Sequence, residues 1–105
     1  MTYWTMLMIK SHDGDGKTAA DVHIKRRCTE EAAESIRGFV HGEVMLSADD
    51  PGLFCVVCGW ENEDAYQQWL ASPLRAKQTQ DLAGLISADI NTMAFQSIHT
   101  VAKPQ

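Results

Sequence analysis

The chain of 105 residues contains no apolar run approaching the roughly 18 residues that a membrane span requires, so a transmembrane protein is not expected. Its opening residues, Met1-Thr2-Tyr3-Trp4, place no basic region before an apolar stretch, which argues against a secretory signal and makes the cytoplasm the default address. Cysteine is scarce: there are three, and three cannot all pair. Cys55 and Cys58 lie on opposite faces of any strand that contains both, which rules against a disulfide framework and against a CxxC metal knuckle. All three thiols read as reduced packing residues. Positive charge is also short, with 9 Lys and Arg against 14 Asp and Glu for a net charge of −5. Phosphate binding needs clustered cations, so nucleic acid is not an expected partner. The one basic run, Lys25-Arg26-Arg27, is followed at once by Glu30-Glu31 and reads as a solvated helix face. No internal repeat, linker or low-complexity tract is present. What is there is ordinary globular composition, 45% hydrophobic and 22% charged, in a length that suits one domain.

The pattern along the chain predicts four strands and two helical regions. Tyr3 to Lys10 is a β-rich apolar run, closed by the turn-forming Ser11-His12-Asp13-Gly14-Asp15-Gly16. Thr18 with Asp21 has the form of a capping box, and Ala20, Ile24, Cys28, Ala32 and Ile36 recur at i+4, which predicts one helix over 18–36. Asp21 to Lys25 also alternates like a strand, and Thr29 is an alternative cap for a shorter helix. Phe39 to Ser47 and Leu53 to Trp60 read as a hairpin around Asp49-Asp50-Pro51-Gly52. Asn62 caps a next helix whose first turn carries Glu63 and Asp64. Ser72-Pro73 starts a separate helix to about Leu85, and Thr92 to Val101 is the last strand. The order is β-α-β-β-α-β, an α+β fold of the ferredoxin-like kind with an antiparallel sheet.

Leu53-Phe54-Cys55-Val56-Val57-Cys58 is apolar at odd and even positions alike, so both faces of that strand should be covered. Helices on one side cover only one face. A second copy packed with two-fold symmetry on the other makes a homodimer the expected assembly.

Two loop motifs fail on inspection. Asp13-Gly14-Asp15-Gly16-Lys17-Thr18 has the Gly-Lys-Thr of a phosphate loop, but Ser11 stands where the first Gly is required and two aspartates would repel phosphate. As a calcium loop it ends on Val22, where a bidentate Glu is needed. The segment is a plain turn. His12, His23 and His99 have no metal-ligand spacing with another His, Cys or acidic residue, so no metal site is expected.

One stretch carries more. Gly38-Phe39-Val40-His41-Gly42-Glu43-Val44 leads to Phe54-Cys55-Val56-Val57-Cys58-Gly59-Trp60-Glu61, and then to Ala65-Tyr66-Gln67-Gln68-Trp69-Leu70-Ala71-Ser72-Pro73. The strand opened by Gly-Phe, the strand closed by Trp-Glu and the helix ended by Ser-Pro resemble the antibiotic biosynthesis monooxygenase domains. That resemblance implies a dimeric α+β barrel, with each subunit's cavity between its sheet and its helices. It also implies that Trp60 lines the cavity, and it matches Tyr66 to the tyrosine of the quinone-forming relatives, where its hydroxyl would hold a phenolic substrate. The match departs from two branches. The haem-degrading branch has a ligating histidine where Thr79 stands and an asparagine in the first strand, which is absent here, so haem degradation is disfavoured. The quinone-forming branch has an asparagine at the Val56 position and an arginine near Thr79.

The residues themselves supply further candidates. Phe54 shares a strand face with Trp60 by alternation. His41 and Glu43, two apart, face one side of the sheet, and an imidazole beside a carboxylate is the pattern of a general base; the alternative is an ordinary ion pair at a dimer or solvent face. Arg75, after Ser72-Pro73, is placed to hold an anionic oxygen or else is a solvated helix residue. The first reading is a cofactor-independent monooxygenase that oxidises a small aromatic or polyketide-like phenol to a quinone with dioxygen as partner. Its catalytic pair would be His41 and Tyr66, and its substrate contacts Trp60, Glu43, Arg75 and Phe54. An isomerase, cyclase or lyase on the same barrel, or a ligand-binding dimer, uses the same scaffold.

Overall fold

The computed structural model describes residues Met1–Gln105 and contains eight elements: β1 (Tyr3–Ser11), α1 (Gly16–Lys25), α2 (Cys28–Ser35), β2 (Phe39–Leu46), β3 (Leu53–Trp60), α3 (Glu63–Leu70), α4 (Pro73–Leu82) and β4 (Ala88–Gln96). The strands form one sheet in the order β2-β3-β1-β4, antiparallel throughout, with the helices on one face. That is the expected ferredoxin-like arrangement. No helix is long and apolar enough to cross a membrane.

Local chemistry places most boundaries. The Asn62 side chain accepts from the Ala65 N–H at 3.0 Å and starts α3; Ser72 does the same for Leu74, with Pro73 at the first helical position, and starts α4. In the hairpin loop the Ser47 hydroxyl accepts from the Asp49 and Asp50 N–H groups, and Asp50 accepts from the Gly52 N–H. The Ser11 to Gly16 turn is likewise self-contained, with Asp13 accepting from the Ser11 hydroxyl and the Asp15 N–H.

The first helical region differs from the expectation of one helix over 18–36. Its cap is Asp15, which accepts from the Thr18 N–H and hydroxyl, so α1 begins at Gly16. Asp21 instead pairs with Lys17, one turn earlier. The helix then breaks at Arg27, whose φ of 61° is left-handed, and restarts as α2. The expected stripe is nonetheless buried at Ala20, Cys28, Ala32 and Ile36 and departs at one position. Ile24, on the expected i+4 stripe, is exposed, whereas His23 joins Gly16, Ala19 and Ala20 as buried. Arg26 is no solvated residue either: its guanidinium bonds Glu31 on α2 and Asp81 on α4, both at 3.0 Å, and ties three helices together.

The last strand also departs from expectation, running from Ala88 to Gln96 rather than from Thr92 to Val101. Its limits are those of its partner: Ser11 pairs with Ala88 and Tyr3 with Gln96, and β1 offers nothing further to pair with. Ile98 and Val101 lie beyond it, exposed. α4 similarly stops at Leu82 rather than Leu85, and the Ile86 N–H closes the turn onto the Leu82 carbonyl.

The register sorts the sheet into two faces. Thr5, Leu7 and Ile9 stand opposite Cys58, Val56 and Phe54, on the helix side; Trp4, Met6 and Met8 stand opposite Gly59, Val57 and Cys55, on the outer side. Met93 and Phe95 continue that outer surface on β4, and both are exposed. Helices thus cover one apolar face, while the second, rich in methionine, has no cover from within the chain.

Gly16 sits where the β2–β3 loop crosses the start of α1, and its N–H donates to the Pro51 carbonyl at 2.8 Å. A Cβ there would lie 2.9 Å from both the Pro51 oxygen and the Gly52 carbonyl carbon. Those are backbone atoms that cannot swing aside. Gly16→Ala should therefore lower stability by about 1–3 kcal/mol in urea unfolding. Gly84→Ala, which meets nothing within 4 Å, should leave it nearly unchanged.

Candidate active site

Between the helix side of the sheet and the helices lies a cavity of about 480 Å³, lined by 21 residues of which 14 are hydrophobic. A volume of that size with few polar groups suits a small organic ligand. The floor is Thr5, Leu7 and Ile9 of β1 with Val56, Cys58 and Trp60 of β3. β4 extends it with Ala88, Ile90 and Thr92, and the helices supply the remaining walls.

Trp60 anchors one end. It is 1% exposed, and its indole N–H donates to Thr5 Oγ1 at 3.0 Å. Phe39 packs edge-on to the indole at 5.4 Å between ring centroids, and Tyr66 lies 5.7 Å away at 52°. Tyr66 also meets Tyr3 at 5.9 Å. Burial pushes the Tyr66 phenol above its ordinary pKa, with the Arg75 charge acting in the opposite direction. The phenol is therefore a hydrogen-bond donor at neutral pH. Arg75, on the first turn of α4, is exposed at its own position yet borders the cavity.

Three of the six expected site residues, Trp60, Tyr66 and Arg75, thus converge on one cavity. Phe54 does not reach it. It is completely buried on the same helix side, toward the opposite end of β3 from Trp60, with its ring 6.1 Å from that of His23. His41 and Glu43 are paired as expected, Nε2 to Oε2 at 2.8 Å, but on the outer face of the sheet, where His41 meets the edge of Trp4 at 6.1 Å. The cause is a β-bulge. Phe39 pairs with Trp60 and His41 with Gly59, so Val40 is an extra residue and the side chains after it change faces. Simple alternation from Phe39 would have put His41 beside Trp60; the bulge removes it as a base acting in this cavity.

The structure adds residues that the sequence pattern did not single out. His23 at the end of α1 and Thr29 at the start of α2 both line the cavity. Burial lowers the His23 pKa below its ordinary 6.5, opposed by the charge of Glu30. Gln78 of α4 spends its amide N–H groups on the Cys28 carbonyl and on Glu31, at 3.0 and 2.9 Å, and holds the wall together. A stripe counted from Gly16 through Ala19 and Ala20 would have reached His23. Thr79, where a haem ligand would be sought, lines the cavity and donates its hydroxyl to the Arg75 carbonyl at 3.2 Å. No group of three His, Cys, Asp or Glu side chains is gathered in a metal-binding arrangement.

The family model described as antibiotic biosynthesis monooxygenase matches residues 16–80. No curated protein sequence matches the chain. Among solved structures, SnoaB, a cofactor-independent oxygenase from Streptomyces nogalater, is similar over 97% of this chain and 98% of its own, at 18% identity and a TM-score of 0.77. A mutant of that oxygenase gives 19% identity and 0.78 over the same shares of the two chains. Rv0793 from Mycobacterium tuberculosis is similar over 97% of this chain and 100% of its own, at 10% identity and 0.70. Such identities show a shared fold.

Burial pushes two cavity thiols, Cys28 and Cys58, up to about 11 from an ordinary 9.0. A folded pKa above the unfolded one favours the protonated form on folding, so this contribution is fully present below pH 9 and is lost as pH rises through 11. Chemical unfolding measured from pH 7 to 11 should show a decline that starts near 9, and the decline should be shallower in Cys58→Ala. An unchanged alkaline slope in that variant would remove Cys58 as a contributor.

Proposed function

The chain belongs to the antibiotic biosynthesis monooxygenase family, and on that footing we propose that it is a cofactor-independent monooxygenase converting a small aromatic or polyketide-like phenol to a quinone. The observation that carries this reading is the convergence of Trp60, Tyr66 and Arg75 on a cavity that is mostly apolar and contains no carboxylate. In the reaction, removal of a proton leaves an electron-rich substrate carbanion, which itself reduces dioxygen to a carbon-bound peroxide. Loss of water from the peroxide leaves the quinone carbonyl; a CH₂ group and O₂ become C=O and H₂O. The Trp60 ring provides a flat apolar wall for the substrate. The Tyr66 hydroxyl and the Arg75 guanidinium stabilise negative charge on a substrate oxygen. An apolar enclosure strengthens both interactions by excluding water.

The same reading includes a homodimer. The outer face of Met6, Met8, Cys55, Met93 and Phe95 is too apolar to stay in solvent at about 25 cal/mol per Å², and its two-fold pairing would bury His41 and Glu43 at or near the joint. Three free thiols suit a cytoplasmic location.

Protein freed of metals by chelation should consume dioxygen in the presence of an anthrone and release the corresponding quinone. Product formed without oxygen uptake would replace this reading with an isomerase or lyase, and saturable quenching of tryptophan fluorescence without product would leave a binding protein. Separately, light scattering at low micromolar concentration should give twice the chain mass of 11.7 kDa. A folded monomer would defeat the dimer.

A further inference from the structure

Proton removal in the cavity needs a group with a free basic lone pair, and the lining offers few. No Asp, Glu or Lys is among the 21 residues; the groups that titrate are His23, Cys28, Cys58, Tyr66 and Arg75. Both thiols and the phenol hold their protons at neutral pH, because burial raises all three. Arginine stays charged. One side chain remains.

We propose that His23 is the proton acceptor of this site, with the Thr29 hydroxyl of the same cavity lining as a hydrogen-bond partner for the substrate. This rests on the reading of the cavity as the place where a phenolic substrate reacts. Independent support comes from the polar atoms of the wall. His23 is 6% exposed, and its Nε2 has no hydrogen-bond partner in the protein; the buried Oγ1 of Thr29 has none either. More than nine-tenths of buried polar groups are paired, so two unpaired atoms from residues of one cavity wall mark a place built for a polar ligand. The His χ2 torsion is broad, which lets the imidazole turn its nitrogen toward an arriving hydroxyl.

The fold explains why these two residues meet the same cavity. His23 lies in the last turn of α1 and Thr29 in the first turn of α2, and the left-handed Arg27 between them turns the chain back so that both helix ends border it. Arg26 clamps this corner through Glu31 of α2 and Asp81 of α4. Burial keeps the free imidazole neutral, and Glu30, on the next helix, favours the imidazolium formed by proton uptake. In the step itself the substrate O–H or C–H bond breaks, an N–H bond forms on His23, and the electron pair stays on the substrate. The imidazolium then gives its proton to the peroxide oxygen. Loss of the remaining substrate hydrogen with hydroxide as water completes the turnover and leaves His23 neutral.

The test compares wild type with His23→Gln, which keeps hydrogen-bonding capacity without the basicity, using an anthrone as the probe. With oxygen uptake as the readout, kcat should fall by about 10²–10⁴-fold with KM little changed. Wild type should show an acid limb in its pH profile below 6.5, since protonated His23 cannot accept, and that limb should disappear in the variant. Cys28, Cys58 and Tyr66, which also face the cavity, are held protonated by burial well above this range and leave the limb to His23. Retention of the rate within about threefold, with the limb intact, overturns the assignment. A measurement that needs no turnover and no variant uses protein with ¹⁵N-labelled histidine. Saturating anthrone without oxygen should shift the ring-nitrogen resonances of His23 and leave those of His12 and His99 in place; absence of a His23 shift overturns the proposal. If His23 shifts but wild type consumes no oxygen, the oxygenase reading fails while His23 stands as the ligand-contacting group.

Discussion

The indole N–H of Trp60 donates to Thr5 Oγ1 across the β1–β3 pair, at a point where neither side chain meets solvent. Indole nitrogen is a donor only, and left unpaired in the interior it would cost about 1–3 kcal/mol. The bond selects one register, with Tyr3 opposite Trp60 and then Thr5, Leu7 and Ile9 opposite Cys58, Val56 and Phe54. A slip by one residue would turn that whole row outward and bring Met6 and Met8 inward. The cavity floor and the open outer face are two results of this single choice.

Two local irregularities then shape what the regular sheet leaves unspecified. The bulge at Val40 lets Phe39 pack on Trp60 while sending His41 and Glu43 to the other side. The left-handed Arg27 converts one expected helix into two, so that a corner rather than a cylinder faces the cavity. Both are conformations that cost energy in isolation and persist because neighbours fix them. At Arg27 the fixing contacts are the ion pairs of Arg26 and the bonds from Gln78 to Cys28 and Glu31.

The electrostatics of the cavity follow from what the fold buries. With no carboxylate in the lining and with thiols and phenol kept neutral, Arg75 is its only permanent charge, at the border on the Trp60 and Tyr66 side. Such an enclosure favours a neutral ligand that becomes an anion once inside. The outer face has a different character. Its methionines are flexible and polarisable, a surface able to adapt to a partner face of the same kind.

Most of the fold was legible because its signals are local. Asn62 and Ser72-Pro73 announce helix starts through side-chain oxygens placed two or three residues ahead of the N–H groups they bind, and β3 shows its two-sided burial in an unbroken apolar run. Trp60 and Tyr66 were found through a resemblance carried by the same stretch, and Arg75 through its place just after Ser72-Pro73. What tertiary structure decided was phase and extent. The length of β4 depends on how far β1 reaches, a property of another strand. Whether His23 or Ile24 turns inward depends on where α1 starts and stops, set by Asp15 and by a break at Arg27 that no Gly or Pro signals. The face His41 takes depends on one extra residue in β2. Hydrophobic periodicity tolerates an error of one position, whereas the side a residue faces does not, and so the sequence determined the scaffold and one end of the cavity while packing decided which histidine enters it.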